Sequence, residues 1–304
     1  MHTHSHGHDH HHHNHAVAVP NRAFLIGIGL NISYVITEVI FGLSNHSLVL
    51  LTDAGHNLGD VAGLVISLLA FKMAKVKANE AFTYGYKKTT ILAALFNAVI
   101  LLITIGILGY EAINRLQDPQ PVPGGIIAWV AGMGIVVNGL SALLFFRDKD
   151  HELNSKGAYL HMMVDAIVSL GVVISGIVIV YTHWYWLDAA VSLVVVLVIL
   201  KGTWSLLIDS FRLSMDGVPA NVDINNIMTK AHGVAGVKGF HHLHIWAMST
   251  TENALTAHLV VENNLDNLKL TEIKNNLKHA LQHLNIQHIT LETEFENDDC
   301  KPEC

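Results

Sequence analysis

Hydropathy divides the chain near residue 210. Before that point, six long apolar stretches alternate with short polar connections, at roughly 22–43, 47–71, 89–114, 125–146, 158–181 and 186–209. Each is long enough to cross a bilayer as a helix, which takes about 20 residues. From about Phe211 the Leu, Ile and Val residues become interspersed with Asn, His and Glu, after a Pro/Gly boundary in "MDGVPANVD". In this second region residues 222–232 and about 267–284 carry helical spacing, while "VKGFHHLHIWAM", "NALTAHLVVE" and "HITLETEFE" read as strands. The fold class expected is therefore a membrane all-α domain of six transmembrane helices over residues 21–210. A small α+β domain of ferredoxin-like or metallochaperone-like αββαβ order follows over residues 211–296. A domain of that size gains from dimer contacts. Residues 1–20 form a His-rich tail expected to be disordered, and residues 297–304 a C-terminal tail with a Cys pair.

Composition supports the membrane reading. Only 14% of residues are charged, 51% are hydrophobic and the mean hydropathy is +0.39, against about 25% charged in soluble domains. Basic residues load alternate connections. Residues 72–88 hold Lys72, Lys75, Lys77, Lys87 and Lys88, and 147–156 hold Arg147, Lys149 and Lys156. The connections at 44–46, 115–124 and 182–185 carry only Arg115. This bias puts the Lys-rich loops and both termini in the cytoplasm, and the compact loops favour a bacterial plasma membrane. A net charge of −7 gives no reason to expect a nucleic-acid partner. Cys300 and Cys304, in "CKPEC", are the only cysteines, which excludes a disulfide scaffold. The opening "MHTHSHGHDHHHHNH" lacks the basic start, apolar core and cleavage site of a signal peptide. Asp9 and Asn14 interrupt its His run, so it reads as native, suited to weak multi-site metal capture.

Ionisable groups inside the spans are the chemical signal. One such group at mid-bilayer costs roughly 2.5–3.5 kcal/mol, so it marks function. "LLTDAGHNLGDVAGL" places His56 and Asp60 four residues apart, and "AYLHMMVDAIVSLG" repeats the spacing with His161 and Asp165. Four residues along a helix set two side chains about 40° apart and one turn apart in height. Two such stripes facing each other supply four N/O ligands, which suit four-coordinate Zn²⁺. The two carboxylates neutralise the dication, and the lack of thiolates leaves it releasable, as a carrier requires. A helix–helix polar clamp would explain one pair, but two copies at mid-span favour a shared ion site. Asp53 reads as an entry or proton-path group. Glu38, Asn31, Asn97 and Asn138 are explained as interhelical hydrogen-bonding groups.

"SLVLLTDAGHNLGDVAGL", "FTYGYKKTTILAALFNAVILL", "GAYLHMMVDAIVSLGVV" and "GVKGFHHLHIWAMS" together resemble the cation diffusion facilitators, in their zinc-transporting branch. The likeness runs from about residue 20 to the end. It implies a homodimer of six-helix protomers embedded in membrane lipid that exports Zn²⁺ from the cytoplasm in exchange for protons, serving zinc homeostasis and resistance. Co²⁺ or Cd²⁺ would be further substrates; relatives with Asp at the first His position accept Cd²⁺ more readily. The resemblance also implies that His56, Asp60, His161 and Asp165 form the transport site. In the cytoplasmic domain His241 and His258 match family metal ligands that help hold two such domains together. Glu294 matches an acidic ligand, and His288 is a neighbour of that site. A structural or regulatory Zn²⁺ is thus expected there, with Cys300 and Cys304 as a further tail pair. Strict strand alternation puts His242 and His244 on one face and His241 on the other. Two departures stand out: the 72–88 connection lacks the Asp and His of a second loop site, and the His tract is N-terminal rather than between the fourth and fifth spans.

Metal binding needs neutral imidazole, so zinc and protons compete for the same groups, and alternating access around a midplane site would couple their movements. An intramembrane zinc hydrolase is disfavoured: there is no HExxH, and four protein ligands leave no open position for water. A membrane-anchored sensor or buffer has no use for two HxxxD pairs within its anchor.

Overall fold

The computed structural model describes residues 22–145, 153–263 and 265–296, and their side chains apart from those of 22–28, 64, 67, 144–145 and 153–161. Six helices come first among them: α1 (Arg22–Ser44), α2 (Leu48–Ala74), α3 (Thr89–Gln117), α4 (Gly124–Phe145), α5 (Leu153–Thr182) and α6 (Trp186–Ser214). Helices α2 to α6 each contain a segment long and apolar enough to cross a membrane, and in α1 the corresponding segment, Gly29–Ser44, is shorter. Their surfaces invert the soluble pattern. Ile36, Phe96, Ile107, Trp129, Ile167 and Leu197 are exposed, whereas Asn31, Glu38, Asp53, Asn57, Asn138 and Ser169 are buried. A lipid solvent selects this arrangement, because polar groups must find one another inside. Exposed Tyr110, Trp129, Tyr181, Trp184 and Trp186 gather near the α3–α4 and α5–α6 connections, as aromatic residues do at a membrane–water boundary.

Helix α4 lies along α5 and α3 along α6, while α2 packs on α1, α3 and α6. Small residues let α4 and α5 touch through their backbones. A Cβ on Gly124 would lie 2.4 Å from the Gly176 carbonyl oxygen, and one on Gly176 would lie 2.7 Å from the Ala128 nitrogen. Gly176→Val is therefore expected to destabilise the bundle by about 1–3 kcal/mol, the usual penalty for overpacking, read as a lower Tm in detergent. Gly171→Ala, whose Cβ would meet nothing within 4 Å, should not lower it. The start of α2 is pinned to α6. Ser47 Oγ donates to Asp188 at 2.7 Å, Leu48 N–H donates to the other Asp188 oxygen at 2.8 Å, and Thr52 shares a 2.6 Å hydrogen bond with Ser192.

The second region has the expected order: α7 (Ile224–His232), β1 (Val237–Ala247), β2 (Asn253–Val261), α8 (Asn267–Gln282) and β3 (His288–Phe295). Asp223 caps α7, accepting from the Asn225 N–H at 2.9 Å. The sheet order is β1-β2-β3, with β1 antiparallel to β2 and β2 parallel to β3. A parallel pair needs a crossover, and α8 supplies it. Ile227, Phe240, Leu255, Leu259, Leu277 and Leu281 form the core between sheet and helices. The domain meets the bundle where the Lys87 and Lys88 ammonium groups reach Glu252 and Asp216 at 2.5 and 2.6 Å, and where the Thr250 N–H donates to Thr90 Oγ1.

Candidate metal centre

Helical spacing stacks His56 and Asp60 on one stripe of α2, and α5 brings Asp165 against it. His56 Nδ1 lies 3.5 Å from an Asp60 oxygen, and His56 Nε2 lies 3.4 Å from an Asp165 oxygen. One ligand atom from each of the three residues falls within 4.8 Å of the others. Asp165 is buried, and all three residues border a cavity of about 260 Å³ walled by α2, α3, α5 and α6. The cavity reaches along α6 from Val198 to Leu206, toward the end of the bundle that carries the second domain. His161 belongs to α5 one turn before Asp165, and its side chain lies outside the described residues. One imidazole and two carboxylates converge here on a volume the size of one coordinated ion. Such a set suits a borderline divalent metal rather than Mg²⁺ or Ca²⁺, which prefer all-oxygen shells.

Beside this cluster lies a second polar group, whose residues do not line the cavity. Glu38 accepts a 3.1 Å hydrogen bond from Asn57 Nδ2, and its carboxyl also faces Asp53 and Tyr34. The expectation that interhelical hydrogen bonds satisfy Glu38, Asn31, Asn97 and Asn138 holds only in part. Glu38 has such a partner, but Asn31 Oδ1, Asn97 Oδ1 and both polar atoms of the Asn138 side chain have none. Helical periodicity identifies an inward face; it does not identify what stands opposite on the neighbouring helix.

In the second domain His241 and His258 occupy paired positions on β1 and β2. Glu294 on β3 bridges them. It accepts from His241 Nε2 at 3.0 Å, and its other oxygen meets His258 Nδ1. One ligand atom from each of the three again falls within 4.8 Å of the others. Strict alternation fails at this point. The register slips between His241 and His244, and His242 adopts the left-handed region at φ 51°. This bulge stacks the His242 ring on that of His258 at 4.5 Å, while the His241 ring sits 5.4 Å from it. His241 and His242 thus both approach His258, against the expectation of opposite faces. Nothing in "FHHLH" marks where a bulge falls, so spacing alone does not bring His242 beside His258. His288 is not brought to the cluster: it begins β3, opposite Ala254, and its ring meets Tyr84 edge-on at 5.3 Å. Cys300, Cys304, the N-terminal His tract and the 146–152 connection lie outside the described residues.

Residues 24–213 match the cation efflux transmembrane domain, and residues 219–295 match the cytoplasmic domain of cation efflux proteins. The chain is 37% identical to the cadmium, cobalt and zinc/H(+)-K(+) antiporter of Bacillus subtilis, over 92% of this chain and 93% of that protein. It is 36% identical to the metal cation efflux system protein CzcD of Cupriavidus metallidurans, over 90% and 86%. Against the zinc transporter ZitB of Escherichia coli the identity is 32%, over 90% and 88%. The apolar helices and these matches together make it an integral membrane protein. The chain belongs to the cation efflux family, the cation diffusion facilitators, in its zinc-transporting branch, whose members are transporters and not enzymes.

Proposed function

We propose that this protein exports Zn²⁺ from the cytoplasm in exchange for protons, through a site formed by His56, Asp60, His161 and Asp165. The convergence of His56, Asp60 and Asp165 from two helices carries this reading. His161, one turn from Asp165, would complete a four-coordinate N₂O₂ shell. Two carboxylates cancel the charge of the dication in a low-dielectric interior, and an imidazole that must lose its proton to bind gives the exchange its chemistry. Cd²⁺ and Co²⁺ are further substrates by analogy with the Bacillus and Cupriavidus relatives. The cavity facing the second domain serves as the entry from the cytoplasm, where both termini lie, and the membrane is a bacterial plasma membrane. Two copies assemble through the cytoplasmic domain, as the dimer-domain match supports.

His241, His258 and Glu294 would hold a resident Zn²⁺ in that domain, since two imidazoles and a carboxylate already gathered at the sheet surface match its ligand preference. Bound there, the ion supplies a cross-link between β1, β2 and β3 and performs no chemistry on the cargo. Purified protein in vesicles loaded with a zinc-sensitive dye tests the main reading. An imposed proton gradient should drive Zn²⁺ uptake, and collapsing the gradient should stop it. Zinc movement indifferent to the gradient would overturn the exchange.

A further inference from the structure

Glu38 is 0% exposed and Asp53 2%, and neither carboxylate forms an ion pair with Lys or Arg among the described residues. They come from adjacent helices, α1 and α2, and their carboxyls face one another. One oxygen of each, Glu38 Oε1 and Asp53 Oδ2, is buried without a hydrogen-bond partner, as is the Tyr34 hydroxyl. Helix α1 packs on α2 and α4. From α2 the ionisable group facing Glu38 is Asp53, beside the neutral Asn57; from α1 itself it is Tyr34; α4 contains no ionisable residue. Two facing carboxylates in a dry interior cannot both be charged while no cation stands near them. Each uncompensated charge costs several kcal/mol, and like charges at close range raise that cost. A shared proton removes the conflict, leaving one oxygen to donate and the other to accept.

Neither Glu38 nor Asp53 lines the cavity, and Asp53 sits within electrostatic reach of His56 and Asp165. We propose that Glu38 is a proton-holding residue of this transporter, separate from the metal ligands. Paired with Asp53, it keeps one proton while the metal site is empty and releases it when a dication arrives. The dication favours the charged form of Asp53, and the proton shared with Glu38 then departs to the cytoplasm, opposite to the direction in which the metal leaves. This deepens the exchange reading above and rests on it: the site adds one proton to those displaced from the ligands themselves.

The test counts protons released per Zn²⁺ bound, by calorimetry of the full chain in detergent in buffers of different ionisation enthalpy. Glu38→Gln keeps the shape, still accepts from Asn57, and offers Asp53 an amide N–H in place of the shared proton, so Asp53 stays ionised in both states. Its proton count should fall by about one per zinc, with the zinc affinity changed less than about threefold, an effect under 1 kcal/mol. Glu38→Asp should retain the wild-type count. An unchanged count in a Glu38→Gln protein that binds zinc normally would overturn the proposal. Should that variant fail to fold, Asp53→Asn read the same way decides, since it removes the other carboxylate. Repeating the titration with and without potassium separates a proton from a monovalent cation: a count that depends on potassium in the wild type alone would also overturn it. Failure of gradient-driven flux in the wild type defeats the exchange reading instead, a result distinct from an unchanged count.

Discussion

Asp165→Ala is expected to cut zinc flux by about a hundredfold, and Asp60→Ala to do the same. The reasoning is electrostatic. With both carboxylates in place, the bound dication and its shell are neutral; with one removed, a net positive charge remains inside the bundle. An uncompensated charge at that depth costs roughly 2.5–3.5 kcal/mol, and 1.4 kcal/mol is tenfold, so about two decades are lost. Asp165 is the more sensitive position, because it is buried and contributes the only described α5 ligand atom within reach of His56. Asp118→Ala, an exposed carboxylate in the α3–α4 connection, should leave flux unchanged. Initial rates of dye response in proteoliposomes of matched protein content measure all three. Flux surviving at more than a tenth of wild type in both Asp60→Ala and Asp165→Ala would remove these residues from the pathway.

A second large effect is expected away from the membrane. Glu294 holds His241 and His258 together through its two oxygens. Replacing it with Gln keeps the volume and removes both the charge and one of the acceptor oxygens. If the domain binds a resident Zn²⁺ there, zinc at a hundred times its Kd stabilises the folded domain by about 2.7 kcal/mol. For a domain of this size that is a rise in Tm on the order of 10 °C. Glu294→Gln should abolish the rise while zinc flux changes far less than in Asp165→Ala. His288→Ala should preserve the rise, since its ring packs on Tyr84 at the other end of β3. A zinc-dependent rise that persists in Glu294→Gln and disappears in His288→Ala would reassign the ligands.

Much of this architecture is legible from residue spacing. Lipid permits only apolar exteriors on its helices, so six hydrophobic runs predict the boundaries of α1 to α6 to within a few residues at most ends. The HxxxD spacing likewise predicts that His56 and Asp60 share a stripe, because helix geometry alone decides it. What faces that stripe is another matter. That α5 presents Asp165 to His56 follows from how six helices pack, which the repeat of the motif suggests but the pattern of one helix cannot fix. Local spacing misleads where the backbone departs from its period. The bulge at His242 turns an alternating strand into one that presents consecutive histidines to His258. His288 shows the same weakness at longer range, since closeness to Glu294 in sequence becomes six residues of extended strand in space. Glu38 is a different case. Its burial is readable from its apolar surroundings, but its opposition to Asp53 requires the α1–α2 packing.

The visible absorption of bound Co²⁺ probes the shared site most directly. The protein used would lack residues 1–20 and carry His241→Ala, His258→Ala, Glu294→Gln, Cys300→Ser and Cys304→Ser, leaving the intramembrane ligands. If α2 and α5 grip one ion, a single Co²⁺ binds with the intense bands of a tetrahedral N/O shell, and Asp60→Ala and Asp165→Ala each abolish them. Bands that survive the loss of both α2 ligands, or of both α5 ligands, would mean that the ion is held by one helix alone, contradicting a site shared between the two.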